Sequence, residues 1–185
     1  EGTRKGRQEI YGEILADVEG SLWTWEIIEN HRVTIGEAPK EFDRIVVAID
    51  PPGSTGKRSD ETGIVVVAVK GEHYYVLEDA SGKYSPKSWA DRAVGLMEKW
   101  SADCIVVERN YGGDMVRTTL ENSDQKVRIV EVTSRRGKVI RADPIVALYE
   151  RGLVHHVGDK LGDFEDQLLS WVPGNDSPDR LVAHV

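Results

Sequence analysis

Two apolar segments of the chain each end in an acidic residue. Asp50 follows Ile-Val-Val-Ala-Ile, and Glu108 follows Cys-Ile-Val-Val. Short runs of apolar, β-branched residues are typical of buried strands. A carboxylate at the end of such a strand needs a partner, because an unpaired buried charge costs several kcal/mol. A metal ion is one candidate for that partner, and a helix-capping role or an arginine is the other.

A third acid, Asp179, lies at the predicted start of the last helix. If the two strands are neighbours, Asp50 and Glu108 emerge at one edge of the sheet, about 4.8 Å apart. Oxygen ligands of this kind suit Mg²⁺ or Mn²⁺, and a pair of such ions can promote hydrolysis of a phosphodiester. Asp179 can instead cap its helix or interact favourably with the helix dipole. Asp60, beside the turn after Asp50, can reach the same metals or be a surface acid.

Basic residues are the second set with a possible functional role. The net charge of −8 argues against a protein that coats nucleic acid, so an enzyme that acts on DNA needs local basic groups. Six candidates lie near the predicted acidic edge or in loops that can reach it: Lys57, Arg58, Arg135, Arg136, Lys138 and Arg141. Their side chains can bind phosphate, and solvated loops are the alternative interpretation.

Histidines are weaker candidates for a site. His155 and His156 lie on a predicted short strand, where at most one of them faces any site. A surface or strand-pairing role is the plainer interpretation for both. His184 is predicted to lie off the helix face that carries Asp179.

The order of predicted elements indicates how these residues are positioned. Three strands form an antiparallel meander at 44–50, 62–70 and 73–79, and helices then alternate with strands at 103–108, 127–132 and 153–156. Ser85-Pro86 is a typical helix start, with Ser85 as the N-cap. This order predicts an α/β domain with a mixed sheet, in which three antiparallel strands are followed by parallel strands, flanked by helices. Residues 1–42 are interpreted as a helical segment and linker, and 43–185 as the domain proper.

Composition limits the class of protein. A length of 185 residues with 39% hydrophobic and 30% charged residues fits a globular protein with a core. The apolar runs are shorter than the roughly 18 residues of a membrane helix, so we expect no membrane association. The single cysteine, Cys104, excludes an internal disulfide and a cysteine-based zinc cluster, which fits a cytoplasmic setting.

Four stretches in order resemble the C-terminal nuclease domain of tailed-phage terminase large subunits, which has a ribonuclease H-like fold. They are Ile-Asp50-Pro-Pro-Gly-Ser with Ser-Asp60-Glu-Thr-Gly-Ile, Val-Val-Glu108-Arg-Asn-Tyr-Gly-Gly-Asp, Lys138-Val-Ile-Arg-Ala-Asp-Pro-Ile and Ser-Pro-Asp179-Arg-Leu. The resemblance covers roughly 44–185, and residues near the start resemble the segment that joins the family's ATPase and nuclease domains. By position, Asp50, Glu108 and Asp179 correspond to the metal ligands.

This resemblance implies a function and partners. It implies a hydrolase that cleaves concatemeric double-stranded viral DNA during genome packaging, with two Mg²⁺ or Mn²⁺ ions and little sequence preference. It also implies a terminase small subunit and a portal as partners in the full motor, a location in the host cytoplasm and a monomeric isolated domain.

The chain departs from the family pattern in two ways. Val182 stands where many relatives have a further aspartate, so one possible ligand is missing. The segment Gly53-Ser-Thr-Gly56-Lys57-Arg58 is not a phosphate-binding loop, because that motif needs glycine at position 51 and serine or threonine at 58. We therefore expect no ATP hydrolysis by this chain.

Other functions remain compatible with the residues. A junction resolvase or integrase-type nuclease has the same fold. A docking domain that regulates a packaging motor needs no active site. An actin-like half-domain also places an acid after its first strand, although it requires a second half and nucleotide binding.

Overall fold

The computed structural model describes residues 18–51, 61–108, 113–124, 126–133, 138–175 and 179–184. Gly113, Asp114, Lys138, Asp179, Leu181 and Val182 are described by their backbone alone. The helix predicted within residues 1–18 and the turn at 52–60 lie outside these ranges.

Six strands and six helices occupy the described residues. The strands are β1 (Arg44–Asp50), β2 (Gly63–Lys70), β3 (His73–Asp79), β4 (Cys104–Glu108), β5 (Ile129–Val132) and β6 (Val154–His156). The helices are α1 (Trp25–Glu29), α2 (Pro86–Trp100), α3 (Gly113–Ser123), α4 (Lys138–Glu150), α5 (Gly162–Ser170) and α6 (Asp179–His184). Helix α2 begins as predicted, with the Ser85 hydroxyl accepting a hydrogen bond from the Ser88 N–H at 3.2 Å.

The strands form one mixed sheet in the order β5-β4-β1-β2-β3-β6. Strands β1, β2 and β3 are an antiparallel meander. Strand β4 runs parallel to β1, β5 parallel to β4, and β6 parallel to β3. The predicted mixed sheet is therefore confirmed. All strands except β2 point the same way, so their carboxyl ends share one border, which we call the carboxyl edge; it carries Asp50, Glu108 and Asp79.

Each face of the sheet covers its own apolar core, because successive strand residues point to opposite faces. Val47 and Ile49 of β1 belong to the first core, together with α2 and α3. Val65 of β2 belongs to the second core, together with side chains from α1, α4 and α5. Strand β2 is buried on both faces, as its continuous apolar sequence predicts.

Part of the segment interpreted as a linker packs into the second core. The side chains of Trp23 and Ile28 are fully buried there, and Val33 forms a parallel β-bridge with Val157 beside β6. The predicted domain boundary at residue 43 stays a prediction, but residues 23–33 are held by the same core as the sheet. No described helix is both long and apolar enough to span a membrane.

Candidate active site at the carboxyl edge

Asp50 and Glu108 are the last residues of two neighbouring parallel strands. The final register pair between these strands is Ile49 with Val107, so the next residues, Asp50 and Glu108, stand side by side. They share the second face of the sheet, and the spacing between strands is about 4.8 Å. Gly63 is the partner of Asp50 on β2, and it contributes no side chain next to this acid. The sequence-predicted pair of carboxylates is therefore brought together.

Arg141 of α4 lies against Glu108. Its Nη1 is 3.2 Å from Glu108 Oε2, and both side chains are largely buried. The Nε of Arg141 is buried and has no hydrogen-bond partner among the described residues. Arg141 was predicted from sequence as a DNA contact; the structure places it beside the carboxylate at the end of β4, with one buried N–H still unused.

Helix α6 brings the third predicted acid to the same face. It packs against β1 and β2, and Asp179 is its first residue. The structure describes the backbone of Asp179, and its side chain lies outside the described set. Arg180, the next residue, is buried: its Nε is 2.9 Å from Asp79 Oδ2, and its Nη1 is 2.6 Å from Glu61 Oε2.

The remaining predicted site residues lie outside the structural description. Asp60, Lys57 and Arg58 belong to residues 52–60, and Arg135 and Arg136 belong to residues 134–137. Lys138 begins α4, but its side chain is not described. Among the described side chains, no three His, Cys, Asp or Glu residues form a metal-binding group. The side chains of Asp50 and Glu108 are among those described, whereas the Asp179 carboxylate is not.

A comparison with protein-family models decides the family. Residues 47–168 match the terminase RNaseH-like domain. The chain belongs to this family. The match begins within β1 and spans β4, so it includes the strands that carry Asp50 and Glu108. No curated protein matches this terminase domain in sequence.

Solved structures of terminases share its fold. The human cytomegalovirus terminase nuclease domain, soaked with Mn and bound to an inhibitor, superposes with a TM-score of 0.64 at 13% identity, covering 88% of this chain and 91% of that one. The large terminase nuclease of thermophilic phage G20c gives a TM-score of 0.55 at 13% identity, covering 89% and 95%. The large terminase of another thermophilic bacteriophage gives a TM-score of 0.63 at 9% identity over 89% of this chain, which spans only 40% of that protein.

A second polar cluster joins side chains of α4, β6, α5 and α6 with Arg32, and we call it the buried network. His156 Nδ1 is 2.8 Å from Glu165 Oε1, and Arg32 Nη2 is 2.9 Å from the same oxygen. Tyr149 Oη is 2.8 Å from His156 Nε2 and 3.0 Å from His184 Nε2. Of the surface or strand-pairing role predicted for His156, the strand pairing is present, in register with Val76 of β3, and the side chain is fully buried rather than at the surface.

One proton arrangement satisfies this network. Glu165 accepts from Arg32 and from the Nδ1–H of a neutral His156, the Tyr149 hydroxyl donates to His156 Nε2, and the Nε2–H of His184 donates to Tyr149. His184 Nδ1 is then a bare acceptor, which agrees with its having no partner among the described residues. The network therefore holds one carboxylate paired directly with one guanidinium, and its histidine and tyrosine groups are neutral.

The pKa directions agree with that arrangement. Burial lowers the pKa of His156, and burial together with nearby His156 lowers the pKa of His184 to about 3. Burial opposes ionisation of Glu165, but the hydrogen bond from His156 and the charge of Arg32 outweigh burial and lower its pKa. Burial and the Glu165 charge raise the pKa of Tyr149 well above its usual value.

Sequence reasoning missed two acids and one arginine at the carboxyl edge. Asp79 ends β3 in the same manner as Asp50 ends β1, so the same strand-end pattern could have identified it. Glu61 and Arg180 lie within two of the stretches that resemble the family, but their pairing carries no local signal, since the partners are distant in the chain. Arg180 pairs with residues 101 and 119 positions away.

Proposed function

We propose that this domain is a divalent-metal-dependent endonuclease that cleaves double-stranded DNA during viral genome packaging. The observation that carries the proposal is the register of β1 and β4, which brings Asp50 and Glu108 to adjacent positions on one face. Membership of the terminase RNaseH-like family supports it. The similar fold of nuclease domains from a phage and a herpesvirus, one of them Mn-soaked, also supports it.

The donor set fits Mg²⁺ or Mn²⁺. Adjacent carboxylates offer hard oxygen ligands, and Asp50 and Glu108 lie next to each other at the carboxyl edge. We assign metal binding to Asp50, Glu108 and Asp179, with Asp60 as an additional candidate. Two bound ions supply activation of a water molecule and stabilisation of the leaving oxygen in phosphodiester hydrolysis.

Basic side chains of this protein are the proposed binding groups for the DNA phosphates. Arg141 keeps one N–H on Glu108 and has further donors, so it can bind a phosphate oxygen beside the metal-binding carboxylates. The Arg141 guanidinium also orients the Glu108 carboxylate through a hydrogen bond of 3.2 Å. Lys57, Arg58, Arg135, Arg136 and Lys138 are the proposed contacts to the DNA backbone.

DNA binding by this domain alone should be weak and should depend on salt. A chain with net charge −8 opposes approach to a polyanion, so only the local basic groups can hold the duplex. Each phosphate contact contributes about −0.9 to the slope of log affinity against log salt, and we expect a slope shallower than roughly −5. In the intact motor an ATPase domain, a small subunit or a portal in the host cytoplasm would deliver the DNA.

Plasmid cleavage tests the proposal. The chain should convert supercoiled plasmid to nicked and linear forms with Mn²⁺ or Mg²⁺, and activity should stop when chelator is added. Ca²⁺ should bind but support little cleavage, since its coordination geometry is less exacting. Cleavage that survives excess chelator would contradict the metal-dependent mechanism. A preference for four-way junctions over linear duplex would indicate a resolvase instead.

A further inference from the structure

Arg180 occupies a buried position between two acids, Asp79 at the end of β3 and Glu61 just before β2. Its side chain is 11% exposed, and its Nε and Nη1 bind Asp79 and Glu61 at 2.9 Å and 2.6 Å. Asp79 is the last residue of β3, and its other oxygen accepts the Ser81 N–H at 3.0 Å. The backbone N–H of Arg180 donates to Gln167 Oε1 of α5 at 3.3 Å. The first turn of α6 is thus tied to β3, to the entry of β2 and to α5.

The sheet register shows what this attachment fixes. Asp79 is opposite Val65, and Val65 is opposite Ala48, so Asp79 lies on the same face as Asp50 and two strands away. Strand β2 runs between them, and α6 packs over β1 and β2. Residue 179 precedes Arg180 directly, so the guanidinium attachment on the β3 side determines how far the start of α6 extends towards Asp50.

Arg180 is poorly suited to bind DNA. Two of its donor groups are already used by carboxylates, and Asp163 Oδ2 lies 3.8 Å from Nη2. Three carboxylates around one guanidinium leave this spot negative, which repels phosphate. The contacts therefore suit a role within the protein.

We propose that Arg180 is a positioning residue that holds the start of α6 so that Asp179 completes the metal site with Asp50 and Glu108. This inference rests on the proposed function. Metal affinity requires carboxylates to be held within about 0.5 Å of the productive arrangement, and a six-residue helix has little intrinsic stability. A planar guanidinium that binds two acids at once supplies that restraint, and a lysine ammonium lacks the fork geometry.

Arg180→Lys tests the role while keeping the charge. We expect Mn²⁺ affinity, measured by calorimetry without DNA, to fall at least roughly 10-fold, as when a supporting hydrogen bond to a metal ligand is lost. Cleavage should recover partly at high Mn²⁺. The matched control is Arg117→Lys. Arg117 also pairs with two acids, Glu131 at 2.7 Å and Glu121 at 3.3 Å, but it belongs to α3, which packs on the first face of the sheet. Unchanged Mn²⁺ affinity in Arg180→Lys would overturn the proposal, even if the melting temperature fell.

A milder pair of variants covers the case in which Arg180→Lys does not fold. Glu61→Gln removes the acid at 2.6 Å from Arg180, and Asp163→Asn removes the one at 3.8 Å. Each deletes one negative charge, but only the first removes a close contact. Glu61→Gln should weaken Mn²⁺ binding by several-fold, whereas Asp163→Asn should leave it unchanged. Equal effects would show that charge alone matters and would overturn the positioning role.

A metal-free measurement separates this inference from the proposed function. If α6 is held close to Asp50, like-charge repulsion should make Asp179→Asn raise the melting temperature less when Asp50→Asn is already present. This coupling should disappear in the Arg180→Lys or Glu61→Gln background. If the wild-type chain binds no Mn²⁺ but the coupling behaves in this way, the proposed function fails and Arg180 still positions Asp179. If the coupling is absent in wild type, or persists in both variants, the inference is wrong.

Discussion

The two ends of helix α6 lie in polar surroundings of different kinds. Its first residues meet the carboxyl edge, where, among the described side chains, the acids Asp50, Glu108, Asp79 and Glu61 outnumber the guanidinium groups of Arg141 and Arg180. Its last residue, His184, enters the buried network, where Glu165 is matched by Arg32 and by neutral donors.

On the proposed function, this difference separates the residues that bind metal from the residues that stabilise the fold. Among the described residues of the buried network nearly every polar atom has its partner, so the network holds the second core together. At the carboxyl edge, the adjacent strand-end acids Asp50 and Glu108 bring two like charges together, which fits the metal binding proposed above. Neutralising an acid should therefore have opposite effects on stability in the two regions.

The largest expected effect is on catalysis by Asp50→Asn. Cleavage of plasmid with Mn²⁺ should fall more than about 100-fold, because a proposed metal ligand is lost. The melting temperature without metal should stay equal or rise, because a like charge near Glu108 is removed. Asp43→Asn is the control, since Asp43 precedes the other end of β1 and pairs with Lys70 on the surface. Cleavage within a few-fold of wild type would remove Asp50 from the site.

In the buried network, Glu165→Gln should have the opposite effect on stability. Loss of the carboxylate removes the partner of His156 Nδ1 and one of the two carboxylates paired with Arg32, which keeps Glu29 at 2.8 Å, and breaking a buried pair costs about 3 kcal/mol. Urea unfolding measures the change. Glu121→Gln, which breaks the exposed pair with Arg117, should cost less than about 0.5 kcal/mol. Similar values for the two variants would show that the network is not a stabilising unit.

The network also predicts how stability depends on pH. The pKa of His184 is lowered to about 3 in the folded state, and that of His156 is lowered too, whereas an unfolded histidine titrates near 6.5. The unfolded chain therefore binds protons first, and stability, fully present above about pH 6.5, is lost as the pH falls below it. One histidine contributes about 1.4 kcal/mol per pH unit.

His184→Gln isolates this contribution. The glutamine amide can donate to Tyr149 but cannot titrate, so the loss of stability between pH 6.5 and pH 4.5 should be shallower by about 1.4 kcal/mol per unit. Glu165, whose carboxyl in the unfolded chain titrates near 4.3, contributes only at the acid end of this window, and it does so equally in the variant and in wild type. Urea unfolding at four pH values measures the slope. Equal slopes for the variant and wild type would contradict the neutral, buried assignment of His184.

The smallest effect concerns Arg141, where binding and catalysis should change in opposite directions. Arg141→Gln removes a cation that competes with metal for Glu108, so Mn²⁺ affinity without DNA should rise by about 5-fold. Cleavage should fall roughly 10-fold, since a hydrogen bond from a charged group to phosphate is worth about 1.5–3 kcal/mol. Arg92→Gln is the control, because Arg92 makes one similar bond, 3.1 Å to Glu78, on the first face. A fall in both quantities would show that Arg141 only supports the fold.

The sequence predicted the parts of the site that depend on local pattern. An apolar run followed by an acid identified Asp50 and Glu108, and the meander followed by alternating elements identified the mixed sheet. The order β4-β1-β2-β3 and the contacts of Arg180 could not be predicted, because they join residues far apart in the chain. The strand pairing of His156 followed from local pattern, but its burial could not be predicted, because its partner Glu165 lies on another element.

The location of bound metal tests the central claim most directly. A crystal of this domain soaked in Mn²⁺ should show an anomalous difference peak between the carboxylates of Asp50 and Glu108, on the face covered by α6. The peak should be absent from a crystal of the Asp50→Asn variant soaked in the same way. Manganese bound only elsewhere, or no peak at this edge at saturating Mn²⁺, would contradict the assignment of the carboxyl edge as the active site.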